Sequence, residues 1–168
     1  LRRAEAMPSD TRTQLLLVDV AEAAGHADQA HARLEAALAA ASGEALPALH
    51  RRALELALAR RDVDRARAAL TALRQTMPPT DLQQLMADQL EARVEQRAGN
   101  APAALAALDR AVQRAPSNVG LRLERARLVT SMGRPRQARL DVDAALRLDP
   151  ENAEAQRLAA ELDRHPGP

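Results

Sequence analysis

The sequence predicts an all-α protein built from repeated antiparallel helix pairs and closed by a C-terminal capping helix. Three observations lead there. Of 168 residues, 40 are Ala, 26 Leu and 24 Arg, all strong helix formers. Phe, Tyr, Trp, Ile, Cys and Lys are absent and only 8 Val remain, so a sheet of β-branched and aromatic residues lacks its material. Finally, Gly and Pro recur at a fixed interval and cut the chain into short helices, which also excludes one long coiled coil.

The interval is clearest in the second half. When residues 85–116 are set above residues 119–150, an offset of 34, Ala92 meets Ala126, Gly99 meets Gly133, Ala104 meets Ala138, Ala111 meets Ala145 and Pro116 meets Pro150. Each copy reads as an amphipathic helix, a Gly stop, a second helix with Pro in its first turn (Pro102, Pro135) and a Pro-led exit. The same template fits residues 11–42, with Gly25 as the stop and Ala30 and Ala37 as the small residues. It fits residues 47–78 less fully, because the turn Arg60-Arg61-Asp62-Val63-Asp64 has no Gly. Thr80 or Asp81 can cap the third copy early and lengthen its first helix by about one turn. Four repeats are therefore expected at 11–42, 47–78, 81–116 and 117–150. Residues 1–10, with Pro8 at an exit position, read as the tail of a preceding repeat, which implies a fragment. Residues 151–165 read as a capping helix with a polar outer face, broken by His165-Pro166-Gly167-Pro168.

Composition excludes several chemistries. Without Lys there is no Walker A lysine or Schiff base, and without Cys no thiol nucleophile, disulfide or thiolate metal site. His26 and His31 are five apart, the wrong spacing for two ligands on one helix face, so no metal site is expected. The sequence Val129-Thr130-Ser131-Met132-Gly133 lacks the first Gly of a nucleophile elbow. Asp62/Asp64 and Asp141/Asp143 stand two apart, on different helix faces, and are expected in turn and cap roles. No enzyme chemistry and no cofactor are expected. No apolar run is long enough to span a membrane.

A 34-residue helix pair with a small residue within its first helix, Gly at the turn, two Ala seven apart in its second helix and Pro at the exit resembles the tetratricopeptide repeat (TPR) family. The resemblance covers about nine-tenths of the chain and implies a right-handed superhelical solenoid. The chain departs from the family in having no aromatics: Gln14, His50, Asp88 and Arg122 stand where a Trp is common. Leu34, Leu70, Leu108 and Val142 replace another large residue, and Val18 and Leu54 stand where the small residue occurs in the later copies. Lost aromatic packing has to be offset by close Ala-to-Ala contact.

The resemblance implies a concave groove lined by the first helices, accepting a peptide or partner segment. With i, i+4, i+7 spacing, the first copy offers Leu15, Asp19 and Glu22 and the second Arg51, Glu55 and Leu58. The third offers Gln89, Arg93 and Gln96 with Arg97 beside them, and the fourth Leu123, Arg127 and Thr130. Arg51, Arg93, Arg97 and Arg127 suggest a cationic lane for an acidic segment or a C-terminal carboxylate, since guanidinium forks pair with carboxylates. The alternative is that these arginines are solvated or paired locally: Arg51 with Glu55, Arg93 with Glu91 or Glu95, Arg127 with Glu124.

The expected function is thus a non-catalytic protein-interaction scaffold with a protein or peptide partner. One alternative is an interaction domain of a larger transferase or of an envelope assembly or export protein. Another is nucleic-acid binding through residues 110–147, which hold nine Arg against three acids, though no aromatic is present to stack on bases. Weak self-association through Leu15, Leu16, Leu58 and Leu123 is a further expectation. The Arg-only, Ala-rich usage points to the cytoplasm or periplasm of a GC-rich bacterium, without separating the two.

Overall fold

The computed structural model describes residues 10–164. Among them lie nine α-helices and no strand: α1 (Thr11–Ala23), α2 (Ala27–Ala40), α3 (Leu46–Ala59), α4 (Val63–Thr76), α5 (Asp81–Arg97), α6 (Ala101–Arg114), α7 (Val119–Ser131), α8 (Pro135–Leu148) and α9 (Ala153–Arg164). A short 3-10 turn, Gly43–Ala45, leads into α3. The sequence's tail of a preceding repeat, up to Ser9, and its helix breaker at 165–168 lie outside the described residues. The chain divides into two compact units, residues 1–78 and 79–168.

Polar caps set the helix starts. Asp10 accepts from the Thr13 amide at 3.1 Å and the Thr13 hydroxyl at 2.9 Å. Asp62 accepts from the Arg65 amide at 3.1 Å, Asn118 from the Leu121 amide at 3.1 Å and Asn152 from the Ala155 amide at 3.0 Å. Each satisfies an amide with no partner inside the helix. Thr80 caps α5 through the Gln83 amide, and α5 reaches 17 residues, the extra turn expected.

Four pair-closing turns share one geometry. The amide of the residue after the turn donates to a carbonyl five residues back: His26 to Ala21 at 2.9 Å, Asp62 to Ala57 at 2.9 Å, Asn100 to Glu95 at 2.9 Å and Arg134 to Val129 at 3.1 Å. This closure requires a left-handed residue, supplied by Gly25, Gly99 and Gly133 at φ between 72° and 74°. In the second pair Arg61 takes the position at φ 59°. The turn forms without glycine because its hydrogen bonds hold a conformation that a side chain disfavours.

In the first unit α1 packs on α2 and α3 on α4. Val18, Ala21, Ala30, Leu34, Ala37, Leu49 and Leu56 form a common core. In the second unit α5 packs on α6, α7 on α8, and α9 on α8. Its core has two parts, one joining Ala92 to Ala107, Leu108, Ala111, Val112 and Leu121, the other joining Leu123, Ala126 and Val129 to Ala138, Val142, Ala145 and the α9 residues Ala155, Leu158 and Leu162. The alanines seven apart, Ala104 with Ala111 and Ala138 with Ala145, are fully buried. Leu58 and Leu123, read from the sequence as surface, are buried instead. A first helix inside a stack has core on two sides, so its apolar arc is wider than one stripe.

Charge, too, lies inside the pairs. Asp88, at a position where the family commonly has Trp, is 3% exposed. It accepts from Arg110 Nε at 3.0 Å and Arg114 Nε at 3.1 Å, both on α6. In the next pair the polarity is reversed. Asp141 on α8, 4% exposed, accepts from Arg125 Nε at 2.7 Å and Nη2 at 2.6 Å, and from Arg122 Nη1 at 3.4 Å. Asp141 and Asp143 are therefore not turn residues: both lie within α8, Asp143 holding Arg139 Nε at 2.7 Å.

Replacing Arg61 with Gly removes the left-handed penalty. It is expected to raise the unfolding free energy by about 0.5–1 kcal/mol, read as a higher urea midpoint. The same turn geometry predicts that Gly133→Ala lowers it by a similar amount.

Candidate functional site

A large concavity lies in the second unit, a cleft of about 830 Å³ whose walls come from α5, α7 and α9. Gln89 and Gln96 contribute from α5, Glu124, Arg127, Leu128 and Ser131 from α7, and Glu154 from α9, while Asn118 stands at the start of α7. Repeat spacing explains the convergence, since Gln89 and Gln96 are two turns apart on one helix face. Arg127 is ion-paired with Glu154, so α7 and α9 are tied across the cleft. The Gln96 side-chain amide donates to Glu124 Oε1 at 3.4 Å, tying α5 to α7. The cleft thus offers amide and hydroxyl groups, one guanidinium and two carboxylates around a small apolar floor of Leu121 and Leu128.

The residues expected in the groove separate. Gln89, Gln96 and Arg127 line the cleft together. Arg93 and Arg97 are exposed on α5, with no ion pair among the described residues. Leu123 is 2% exposed and belongs to the core, so it cannot line a groove. Arg51 and Glu55 lie on α3 in the first unit, where Arg51 is exposed and Glu55 has Arg52 Nη1 at 3.7 Å. Arg52 also reaches Asp19 at 2.8 Å and pairs with Glu22, so the acids expected to line the first copy's groove are already held. Sequence reading missed Glu154 because α9 was read only as a cap. The signal was there: Asn152 follows Asn118 by the repeat interval, which makes α9 the first helix of a further unit.

A second cleft, about 280 Å³, opens between α2, α3 and α4 in the first unit. His31 and Glu35 line it from α2, His50, Ala53 and Ala57 from α3, and Ala68, Ala69 and Ala72 from α4, with Arg60, Asp62 and Arg65 at the turn. Its origin is visible in the repeat register. His50 occupies the position of Asp88 and Arg122. Ala72 occupies that of Arg110, and Ala69 that of Asp141, so small side chains stand where the later pairs place buried ion pairs. Burial lowers the pKa of His50, because the charged imidazole loses hydration.

The arrangement defines a class: an all-α repeat of antiparallel helix pairs. Comparison with known proteins points the same way. The family model for the tetratricopeptide repeat matches residues 96–162, about two-fifths of the chain, and the helix-pair architecture resembles that of TPR helical-repeat proteins. No curated protein matches the chain. Among solved structures, the APC/C hetero-tetramer Cut9–Hcn1 is similar with TM-score 0.67 at 15% identity, over 88% of this chain and 29% of that one. The chain thus spans less than a third of that protein. YrrB, a TPR protein with an unusual peptide-binding site, gives TM-score 0.63 at 16% identity, covering 94% of this chain and 78% of its own. TTC0263, a thermophilic TPR protein of Thermus thermophilus, gives TM-score 0.52 at 24% identity over 94% and 84%. These likenesses show the fold. No helix among the described residues is long and apolar enough to cross a membrane.

The depressed His50 pKa has a defined sign. The folded state favours neutral imidazole, so the unfolded chain takes up the proton first as pH falls through about 6.5. Thermal stability is expected to drop between pH 7 and pH 5, and His50→Gln is expected to flatten that part of the profile.

Proposed function

We propose that the chain is a non-catalytic interaction scaffold that holds an extended segment of a protein partner in the cleft between α5, α7 and α9. One observation supports this reading: an open cleft of about 830 Å³ with amides on several walls. Gln89, Gln96 and Asn118 suit the alternating donors and acceptors of an extended backbone. Polar and apolar groups line the cleft about equally, so binding draws on hydrogen bonds as well as apolar contact, and on replacing the Gln96–Glu124 contact.

The charge of the segment follows from which groups are already paired. Within the cleft, Arg127 is neutralised by Glu154, and Glu124 receives only a neutral amide. Arg93 and Arg97 supply cationic groups on the same helix as Gln89 and Gln96. A segment with mixed charge, its acidic side chains directed to Arg93 and Arg97, fits better than a uniformly acidic one. Nucleic-acid binding has less support than composition suggested. Of the nine arginines in 110–147, Arg110, Arg114, Arg122, Arg125, Arg127 and Arg139 are engaged by carboxylates, leaving Arg134, Arg136 and Arg147 to meet phosphates. A role as one domain of a larger transferase or export assembly is compatible with the same cleft, which would then recruit that protein's substrate or partner.

Because the chain has no Trp or Tyr, a Trp-labelled peptide reports binding without background. Peptides recovered by pull-down from the native host are expected to lose at least tenfold in affinity to the double variant Gln96→Ala/Arg127→Glu. Arg136→Glu, outside the cleft, is expected to stay within twofold. Equal affinity for both variants contradicts the assignment.

A further inference from the structure

We propose that the cleft between α2, α3 and α4 is a binding site for a small organic cation, an amidinium or guanidinium head on a short apolar body, with Glu35 as its counter-ion. The internal register shows how this space arises. The shift that carries Gly25 onto Gly99 carries Glu35 onto Asp109, and the shift that carries Arg61 onto Gly133 carries Ala53 onto Arg125 and Ala69 onto Asp141. At the later junction the Arg125 guanidinium stands among three helices. From α7 it donates to Asp109 on α6 at 2.8 Å and to Asp141 on α8 at 2.7 Å and 2.6 Å. At the earlier junction the acid of the second helix is kept, as Glu35, while the guanidinium is replaced by the methyl group of Ala53. About 280 Å³ is open there.

The arginines that line this cleft, and the one beside Ala53 in the chain, are held elsewhere. Arg52 is committed to Asp19 and Glu22. Arg60 donates to the Ala27 carbonyl, and Arg65 lies 3.5 Å from Asp62, both at the turn between α3 and α4. Glu35 Oε1 lies 2.9 Å from His31 Nε2, a group that is charged only when protonated. A permanent cation is the stronger partner for that carboxylate.

The other walls define the rest of the ligand. Where the later junction has a second carboxylate, α4 offers Ala68, Ala69 and Ala72, and α3 adds Ala53 and Ala57. One carboxylate beside a lining of methyl groups complements a single positive charge on a short or flat apolar body. A stretch of polypeptide is the poorer occupant, since a space of this volume bounded by three helices is on the scale of one small molecule.

The chain has no Phe, Tyr or Trp, so the ring protons of benzamidine can be followed by NMR against a nearly empty aromatic region. Added to the 168-residue chain, benzamidine is expected to give saturable shifts with a dissociation constant of about 1 mM or tighter, and nuclear Overhauser contacts from its ring to the alanine methyls of α4. Benzamide, its neutral isostere, and benzoate are expected to bind at least tenfold more weakly. Glu35→Gln, at a side chain that is 66% exposed and outside the core, is expected to weaken benzamidine at least fivefold. Glu161→Gln, in the second unit, is expected to change it less than twofold. Ala53→Arg, which supplies a guanidinium from α3 as Arg125 does from α7, is expected to exclude it. No saturation by about 10 mM, equal binding of benzamide, tighter binding of benzoate, or undiminished binding to Glu35→Gln overturns the proposal.

Discussion

Two buried carboxylates, each gripped by two arginines, organise the second unit. Asp88 and Asp141 lie at the contact between paired helices, and a carboxylate so placed is tolerable only when fully paired and hydrogen-bonded. The guanidinium fork meets that demand with several directed donors and a weakly hydrated charge. An ammonium could not do so in the same geometry, which gives a physical sense to a chain with 24 Arg and no Lys. The bonds to Asp141 push the Arg125 pKa further up, so this guanidinium keeps its charge.

The same arginines reach beyond their own pair. Arg125 also donates to Asp109 on α6 at 2.8 Å, so one guanidinium spans the junction between successive helix pairs. Arg139 joins Asp143 to Asp163 on α9, and in the first unit Arg52 joins α3 to the acids of α1. Alanine complements this charge. Fully buried alanines at 104, 107, 111, 138, 145 and 155 leave the helices little side chain to interpose, and directional ion pairs then supply the specificity that shaped aromatic packing would otherwise give. With most of these arginines committed to structure, the cleft between α5, α7 and α9 carries one guanidinium, two carboxylates and neutral amides.

Much of this was legible in the sequence. Composition excluded sheet, and Gly25, Gly99 and Gly133 marked three of the turns. Thr80 foretold the longer α5. What stayed hidden required three dimensions. Arg61 gives no sign of a left-handed conformation, because no side-chain pattern encodes it and the turn's own hydrogen bonds impose it. Leu123 looked like groove wall because a helix inside a stack is buried along two arcs, and a single i, i+4, i+7 stripe describes only one. The charges at 88 and 122 read as missing aromatics. Their partners, Arg110 and Asp141, lie on the other helix of each pair, and no local spacing connects them. Of the residues lining the cleft, Gln89, Gln96 and Arg127 stood among those expected in a groove, whereas Glu154 did not.

The central claim is that ion pairs between helices take the place of aromatic packing, and a double-mutant cycle on Asp141 and Arg125 tests it most directly. Denaturant unfolding of Asp141→Ala, Arg125→Ala and the double variant is predicted to show a cost of about 3 kcal/mol or more for Asp141→Ala, with a coupling energy above about 1 kcal/mol. A coupling energy below about 0.5 kcal/mol, with single costs no larger than those of exposed surface pairs, would contradict it.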